Sequence, residues 1–92
     1  MYLLITYDIT SDKKRRKIDK ILSSYGVRVN YSVFEVEIRR HLLPTLKEKL
    51  AMQMDERDSV RLYFLNKTAI ESAEELNPKR GDPFSMEESY VL

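Results

Sequence analysis

β-forming and helix-forming segments alternate along this chain, and their order limits the fold more than any single motif does. Residues 2–9, 27–38 and 59–65 are rich in aliphatic and aromatic residues and are predicted to form strands. Residues 12–24 and 41–54 carry apolar side chains at the spacing of an amphipathic helix. Helices therefore separate the three β-forming segments.

Residues 27–38 are predicted to form two strands, because the apolar alternation changes phase between Tyr31 and Phe34. A tight connection around Asn30–Ser32 would join them. No glycine marks that turn, so one long bent strand stays an alternative. Two strands here give the order β-α-β-β-α-β. We predict an α+β fold of the ferredoxin-like type, with two helices on one face of a four-stranded antiparallel sheet.

The predicted helix ends have signals of their own. Ser11 or Asp12 can cap the first helix, and Gly26 is expected to end it in the left-handed conformation. Pro44 suits the first turn of the second helix. The buried stripe of that helix is predicted to consist of Leu42, Leu43, Leu46, Leu50 and Met54. Residues 66–76 stay open between a short helix and a short strand.

The chain has 92 residues and no cysteine, which limits how it can be stabilised. A domain this small buries only about 60% of its unfolded surface, and many such domains gain stability by dimerising. We predict one ferredoxin-like domain over residues 1–78 and a C-terminal loop and strand over residues 79–92. The apolar N-terminal run is too short for a membrane span or a signal peptide, so we expect a soluble cytoplasmic protein.

Positive charge is concentrated in the first half, although the formal net charge is only +1. Residues 1–50 hold eleven Lys and Arg against six Asp and Glu, whereas residues 51–92 hold five against nine. The macrodipole disfavours each cation at a helix N-terminus by roughly 0.3–1 kcal/mol, so stability does not explain the basic run there. A bound phosphate would explain it, and a solvated basic face is the alternative. The cations of this helix are Lys13, Lys14, Arg15, Arg16, Lys17 and Lys20.

Asp8 ends the first predicted strand, where a carboxylate among apolar residues requires a reason. It could accept hydrogen bonds from the following turn or cap the helix. It could also bind a divalent metal, but Mg²⁺ sites usually combine one or two carboxylates with phosphate oxygens. A metal at Asp8 would therefore need a second carboxylate, supplied by Asp8 of another copy across a two-fold axis. The sequence contains no Ser-His-Asp set, no His/Cys metal cluster and no Gly-rich phosphate loop.

Several stretches of the sequence resemble the CRISPR-associated protein two family. They are Tyr7-Asp8-Ile9, the basic Arg15-Arg16-Lys17, residues 25–35 and residues 59–63. Two positions depart from the family pattern, because Asn30 stands where Gln is usual and Lys17 stands where some members have Arg.

The resemblance implies a homodimer in which two sheets pack face to face and an extra C-terminal strand is exchanged with the partner. It implies that the two Asp8 carboxylates share Mg²⁺, and that Asp8 and Tyr7 are the catalytic residues. It also matches Arg15, Lys17, Arg28 and Phe34 to positions of substrate contact. The expected nucleic-acid-binding residues are Lys13, Lys14, Arg15, Arg16, Lys17, Lys20 and Arg28.

Two functions remain open under this resemblance. One is a scaffold of spacer acquisition that bridges the CRISPR integrase and contacts the phosphates of duplex DNA. The other is a metal-dependent endonuclease that hydrolyses phosphodiester bonds of RNA or DNA. A single Asp8 per chain and the absence of an evident general base favour the scaffold. The expected partners are a second copy, the integrase, duplex DNA and single-stranded RNA, and no membrane.

Overall fold

The computed structural model describes residues 1–76, which form four strands and three α-helices. The strands are β1 (Tyr2–Asp8), β2 (Gly26–Asn30), β3 (Val33–Glu37) and β4 (Ser59–Leu65). The helices are α1 (Asp12–Ser23), α2 (Leu43–Ala51) and α3 (Lys67–Glu71), and a 3₁₀ turn over Arg40–Leu42 precedes α2. The predicted C-terminal loop and strand over residues 79–92 lie outside the described residues.

The sheet has the order β2-β3-β1-β4, and each neighbouring pair is antiparallel. The predicted order β-α-β-β-α-β is therefore confirmed, with α3 added after β4. Residues 27–38 form two strands, as the change of phase indicated. The connection between them is only Tyr31 and Ser32, and Ser32 has a φ of 62°, which takes the place of the missing glycine.

Alternation along the strands divides the sheet into two faces. Leu3 and Ile5 of β1 are fully buried beneath the helices, together with Phe34 and Val36 of β3. Each fully buried side chain of this kind contributes about 1.5–3 kcal/mol. From the helices, the fully or almost fully buried residues of this core are Ile18, Leu22, Leu46 and Leu50. We call the other side of the sheet the open face.

Of the two predictions about the ends of α1, the one for its start is confirmed and the one for its end is wrong. Ser11 caps α1, since its Oγ accepts a hydrogen bond from the Lys14 amide at 3.2 Å. Gly26 does not end α1, because Ser24 closes the helix in a right-handed conformation and Gly26 begins β2. A Cβ at Gly26 would lie 2.0 Å from the carbonyl oxygen of Glu35. Glycine is required here for the close approach of β2 to β3.

The predicted stripe of the second helix is correct at its centre and wrong at its start. Leu46 and Leu50 are buried, and Leu43 and Met54 are partly buried against the core. Leu42 is 39% exposed, because it belongs to the 3₁₀ turn before α2. The tighter 3₁₀ spacing turns its side chain away from the α-helical stripe.

Helix α3 resolves the ambiguity of residues 66–76 in favour of a helix. The Asn66 side chain caps it by accepting a hydrogen bond from the Ala69 amide at 2.8 Å. Ile70 is buried against Tyr2 and Leu65, which point to the open face at one end of the sheet. Helix α3 therefore covers a corner of the open face. Within residues 1–76, no helix is long and apolar enough to cross a bilayer.

Candidate nucleic-acid surface and metal position

Carboxylates divide the six cations of α1 into two sets. Lys14 forms an ion pair with Asp55, which follows α2. Arg15 forms an ion pair with Asp12 at 2.6 Å. The other four cations form no ion pair with any of the described residues. We call this second set the unpaired α1 cations, and its members are Lys13, Arg16, Lys17 and Lys20.

Arg15 reaches the residue that follows β1. Its guanidinium lies 3.4 Å from the carbonyl oxygen of Ile9 and 5.9 Å from the centre of the Tyr31 ring. The hydrogen bond to Asp12 raises the pKa of Arg15. The Asp12 carboxylate neutralises this guanidinium, so Arg15 is less free for a phosphate than the unpaired α1 cations are.

Arg28 is also occupied, although it extends from the edge strand β2. Its guanidinium pairs with Asp19 of α1 at 2.5 Å and lies 5.6 Å from the centre of the Phe34 ring. The Tyr7 hydroxyl donates a hydrogen bond to the other Asp19 carboxylate oxygen. One carboxylate therefore ties β1 and β2 to α1. We call Tyr7, Asp19 and Arg28 the Asp19 cluster.

The Asp19 cluster changes the expected chemistry of Tyr7. Burial, and then the hydrogen bond to Asp19, raise the pKa of Tyr7 far above its ordinary value. The phenol is therefore a hydrogen-bond donor in the neutral pH range and does not ionise there. Sequence reasoning missed Asp19, although one signal was available, since it is the only acid between residues 13 and 24.

Asp8 and Tyr7 are adjacent in sequence but belong to opposite faces of the sheet. Asp8 is exposed at the end of β1 on the open face, opposite Ser59 of β4, whereas Tyr7 is buried on the helical face. The structure therefore does not bring the two predicted catalytic residues together within one chain. On the open face, the neighbouring β4 residues are Ser59 and Arg61.

A metal at Asp8 would need ligands from outside a single described chain. Residues 1–76 contain no group of three or more His, Asp and Glu side chains that could hold a metal ion. Asp8 offers one exposed carboxylate, which is the hard oxygen ligand that Mg²⁺ prefers. The donor chemistry fits Mg²⁺ only where a second carboxylate or substrate phosphate oxygens complete the site.

Asp58 fixes the loop that connects Asp8 to the basic helix. One of its oxygens accepts hydrogen bonds from the amide and the hydroxyl of Thr10, at 3.0 and 3.1 Å, and the other accepts from the Asp55 amide at 2.7 Å. These backbone hydrogen bonds, first from Asp55 and then from Thr10, lower the pKa of Asp58. Asp58 is not among the predicted site residues, but it holds the start of α1 in place.

Comparisons with known proteins place the chain in one family. Residues 1–73 match the family model described as CRISPR associated protein Cas2. The chain is 39% identical over 72 residues to the CRISPR-associated endoribonuclease Cas2 3 of Chloroflexus aurantiacus, covering 77% of each chain. It is 39% identical over 71 residues to the CRISPR-associated endoribonuclease Cas2 of Thermus thermophilus, covering 76% of each chain.

Solved structures agree with these sequence matches. The crystal structure of Streptococcus pyogenes Cas2 superposes with a TM-score of 0.73 at 34% identity, covering 83% of this chain and 99% of that one. A chain of a partial Cas6-RT-Cas1–Cas2 complex gives a TM-score of 0.64 at 33% identity, covering 83% of this chain and 90% of that one. The chain therefore belongs to the CRISPR-associated Cas2 family.

Proposed function

We propose that this chain is a nucleic-acid-binding homodimer of CRISPR spacer acquisition, which bridges integrase subunits and holds duplex DNA by its phosphates. The observation that carries the proposal is the set of unpaired α1 cations, which cluster on one helix without carboxylate partners among residues 1–76. The resemblance to a chain from a Cas1–Cas2 complex supports the integrase as a partner.

Electrostatics supports duplex DNA as the ligand of this surface. Lysine and arginine contacts to phosphates release condensed counterions and supply affinity without reading sequence. Four contacts on one protomer predict a log–log salt slope of about −3.6, because each contact contributes about 0.9. The log–log salt slope would be about −6.3 if the three cations that are paired with carboxylates, Lys14, Arg15 and Arg28, also contacted phosphates. The salt slope therefore distinguishes the unpaired cations from the full basic set.

The open face supports the homodimer. It carries Leu4, Val33 and the 46% exposed Tyr63, so it offers apolar surface outside the corner that α3 covers. Two copies of this face would bury that surface against each other. Such packing would also bring the two Asp8 ends of β1 toward a shared axis.

The test is reconstitution of integration with the integrase from the same locus and a short DNA duplex. Replacing Lys13, Arg16 and Lys17 together with Ala removes three phosphate contacts, so duplex affinity in 0.1 M salt should fall by two to three orders of magnitude. Integration should fall with it, while co-purification with the integrase should persist. Integration at the parent level by this variant would contradict the proposal.

A second candidate function is a metal-dependent endonuclease, favoured by the exposed carboxylate at Asp8 and by the endoribonuclease names of the relatives. Asp8 of both subunits would hold Mg²⁺ together with substrate phosphate oxygens. When bound, the ion would supply Lewis-acid activation of the phosphate and of water. The chain's own contribution would be to orient that carboxylate, since Asp58 fixes the loop that follows it.

A substitution at Asp8 distinguishes the two candidate functions. Asp8→Asn keeps the shape of the side chain but removes the negative charge, so any Mg²⁺-dependent cleavage of RNA or DNA should be lost. Dimerisation and duplex binding should persist, because repulsion between like charges has gone. Cleavage at the parent rate by Asp8→Asn would contradict the metal role of Asp8. Integration at the parent rate by Asp8→Asn would show that the scaffold role does not depend on a metal at Asp8.

A further inference from the structure

A groove of about 470 Å³ runs between α1 and α2 on the helical side of the sheet. Ile21 is the apolar residue of its lining, and the other lining residues are polar side chains of α1, of α2 and of the residues that follow each helix. Its lining residues are Lys17, Lys20, Ile21, Ser24, Lys49 and Gln53. Two of the lysines belong to the unpaired α1 cations, whereas Lys49 comes from α2.

The groove concentrates positive charge without a counter-charge of its own. None of the described residues that line it is acidic, and the ion pairs of residues 1–76 do not include Lys17, Lys20 or Lys49. Like charges three or four positions apart on a helix destabilise it, so Lys17 and Lys20 repel each other. An anion in the groove would relieve the repulsion.

Lys49 is held in position to take part. Its ammonium donates a hydrogen bond to the Tyr25 hydroxyl at 3.3 Å and lies 5.6 Å from the centre of the Tyr25 ring. Tyr25 packs against the core. This contact ties the Lys49 ammonium to a residue just after α1, and Lys49 lines the same groove as Lys17 and Lys20.

The length of the charged row fits a continuous phosphate backbone better than a single small anion. Lys13, Lys17 and Lys20 follow one side of α1, and at 1.5 Å per residue they span about 10 Å of the helix axis. A DNA duplex presents about six phosphate charges over that length. A lone phosphate would occupy only one end of the row.

We propose that the groove between α1 and α2 is part of the duplex-binding surface, with Lys49 as a phosphate contact on its second wall. The inference rests on the proposed function, because it assigns a further element to the same ligand. It extends the surface from one helix to two, so the sugar-phosphate backbone would follow the groove.

The test compares two lysines on opposite flanks of α2. Lys49→Gln should reduce the log–log salt slope of duplex binding by about 0.9 and reduce affinity in 0.1 M salt by about fivefold to tenfold. Lys47→Gln is the matched control, since Lys47 is exposed on α2 but does not line the groove. Lys49→Arg should retain the parent slope, which separates the role of charge from that of packing.

Photo-crosslinking tests the contact directly, because the chain has no native cysteine. An azidophenacyl group attached at Lys49→Cys should crosslink to duplex DNA, whereas the same group at Lys47→Cys should not.

If Lys13, Arg16 and Lys17 govern duplex binding but both Lys49 readouts match those of Lys47, this inference is wrong and the proposed function stands. If the parent does not bind duplex DNA, both are wrong. If Lys49→Gln loses only integrase binding, the groove is a protein docking surface and the inference is wrong.

Discussion

Both flanks of α1 lie beside basic side chains, but the basic side chains have different roles. On the flank that faces β2, Asp19 neutralises Arg28 and holds the Tyr7 hydroxyl. On the flank that faces α2, Lys17 and Lys20 line a groove whose described lining is free of acids. The first flank uses a cation to join secondary-structure elements, and the second leaves its cations available to a ligand. A count of basic residues does not distinguish these roles, whereas the position of one carboxylate does.

Breaking the Asp19 cluster should have the largest effect on stability. Asp19→Ala leaves the buried Tyr7 hydroxyl and the Arg28 guanidinium without their partner, so the free energy of unfolding should fall by about 2–3 kcal/mol. We expect urea denaturation at pH 7 to measure this loss. Duplex affinity of the folded variant should hold or rise, because a negative charge has left the basic helix.

Asp12→Ala is the matched control for this experiment. Asp12 forms an ion pair with Arg15, as Asp19 does with Arg28. The Asp12 side chain is 74% exposed, whereas the Asp19 side chain is 23% exposed. An exposed pair contributes about 0.2–1 kcal/mol, so this variant should lose much less stability. Equal losses for the two variants would contradict the structural role of the Asp19 cluster.

Tyr7→Phe should have a smaller effect with a characteristic pH dependence. The variant loses one hydrogen bond, so its free energy of unfolding at pH 7 should fall by about 1 kcal/mol. Folding raises the pKa of Tyr7, so the stability that this phenol adds is fully present below about pH 10 and is lost as pH rises further. The difference between parent and variant should therefore shrink above pH 10, as measured by urea denaturation across pH. A constant difference would mean that Tyr7 ionises normally.

The smallest change in stability is expected at Lys14, and it sharpens the contrast between paired and unpaired cations. Lys14→Gln removes a half-exposed ion pair with Asp55, so stability should change by about 0.5 kcal/mol or less. We expect fluorescence-detected duplex binding to keep the parent salt slope. Lys17→Gln on the same helix should instead lower the slope by about 0.9. Matching slopes for the two variants would remove the distinction between the sets.

Local pattern was sufficient to predict most of the fold. The phase change between Tyr31 and Phe34 correctly divided one β-forming run into two strands, and helical spacing located α1 and α2. Leu42 was assigned wrongly because a 3₁₀ turn interrupts the α-helical period just before α2. The role of Gly26 was assigned wrongly because its close contact is with Glu35, on a neighbouring strand.

The candidate site was less predictable, because its contacts join residues that are distant in sequence. Alternation along a strand is sufficient to put the adjacent residues Tyr7 and Asp8 on opposite faces of the sheet. The pairing of Asp19 with Arg28, however, depends on how α1 lies over β2. No sequence pattern indicates that Lys49 belongs to the basic surface, because only the packing of α2 beside α1 brings it to the groove. Helical periodicity identifies which face of a helix is buried, but it does not identify the neighbour of its exposed flank.

Helix α3 also has a steric consequence for any assembly built on the open face. It rests on Tyr2 and Leu65, about 20 Å along the sheet from Asp8, and a helix adds a step about 10 Å high to an otherwise level surface. A second sheet cannot lie flat across that step. The second sheet would contact the side of α3 and would be displaced toward the Asp8 end of β1. The five residues of α3 would thus set the offset between two copies and, with it, the separation of their Asp8 carboxylates.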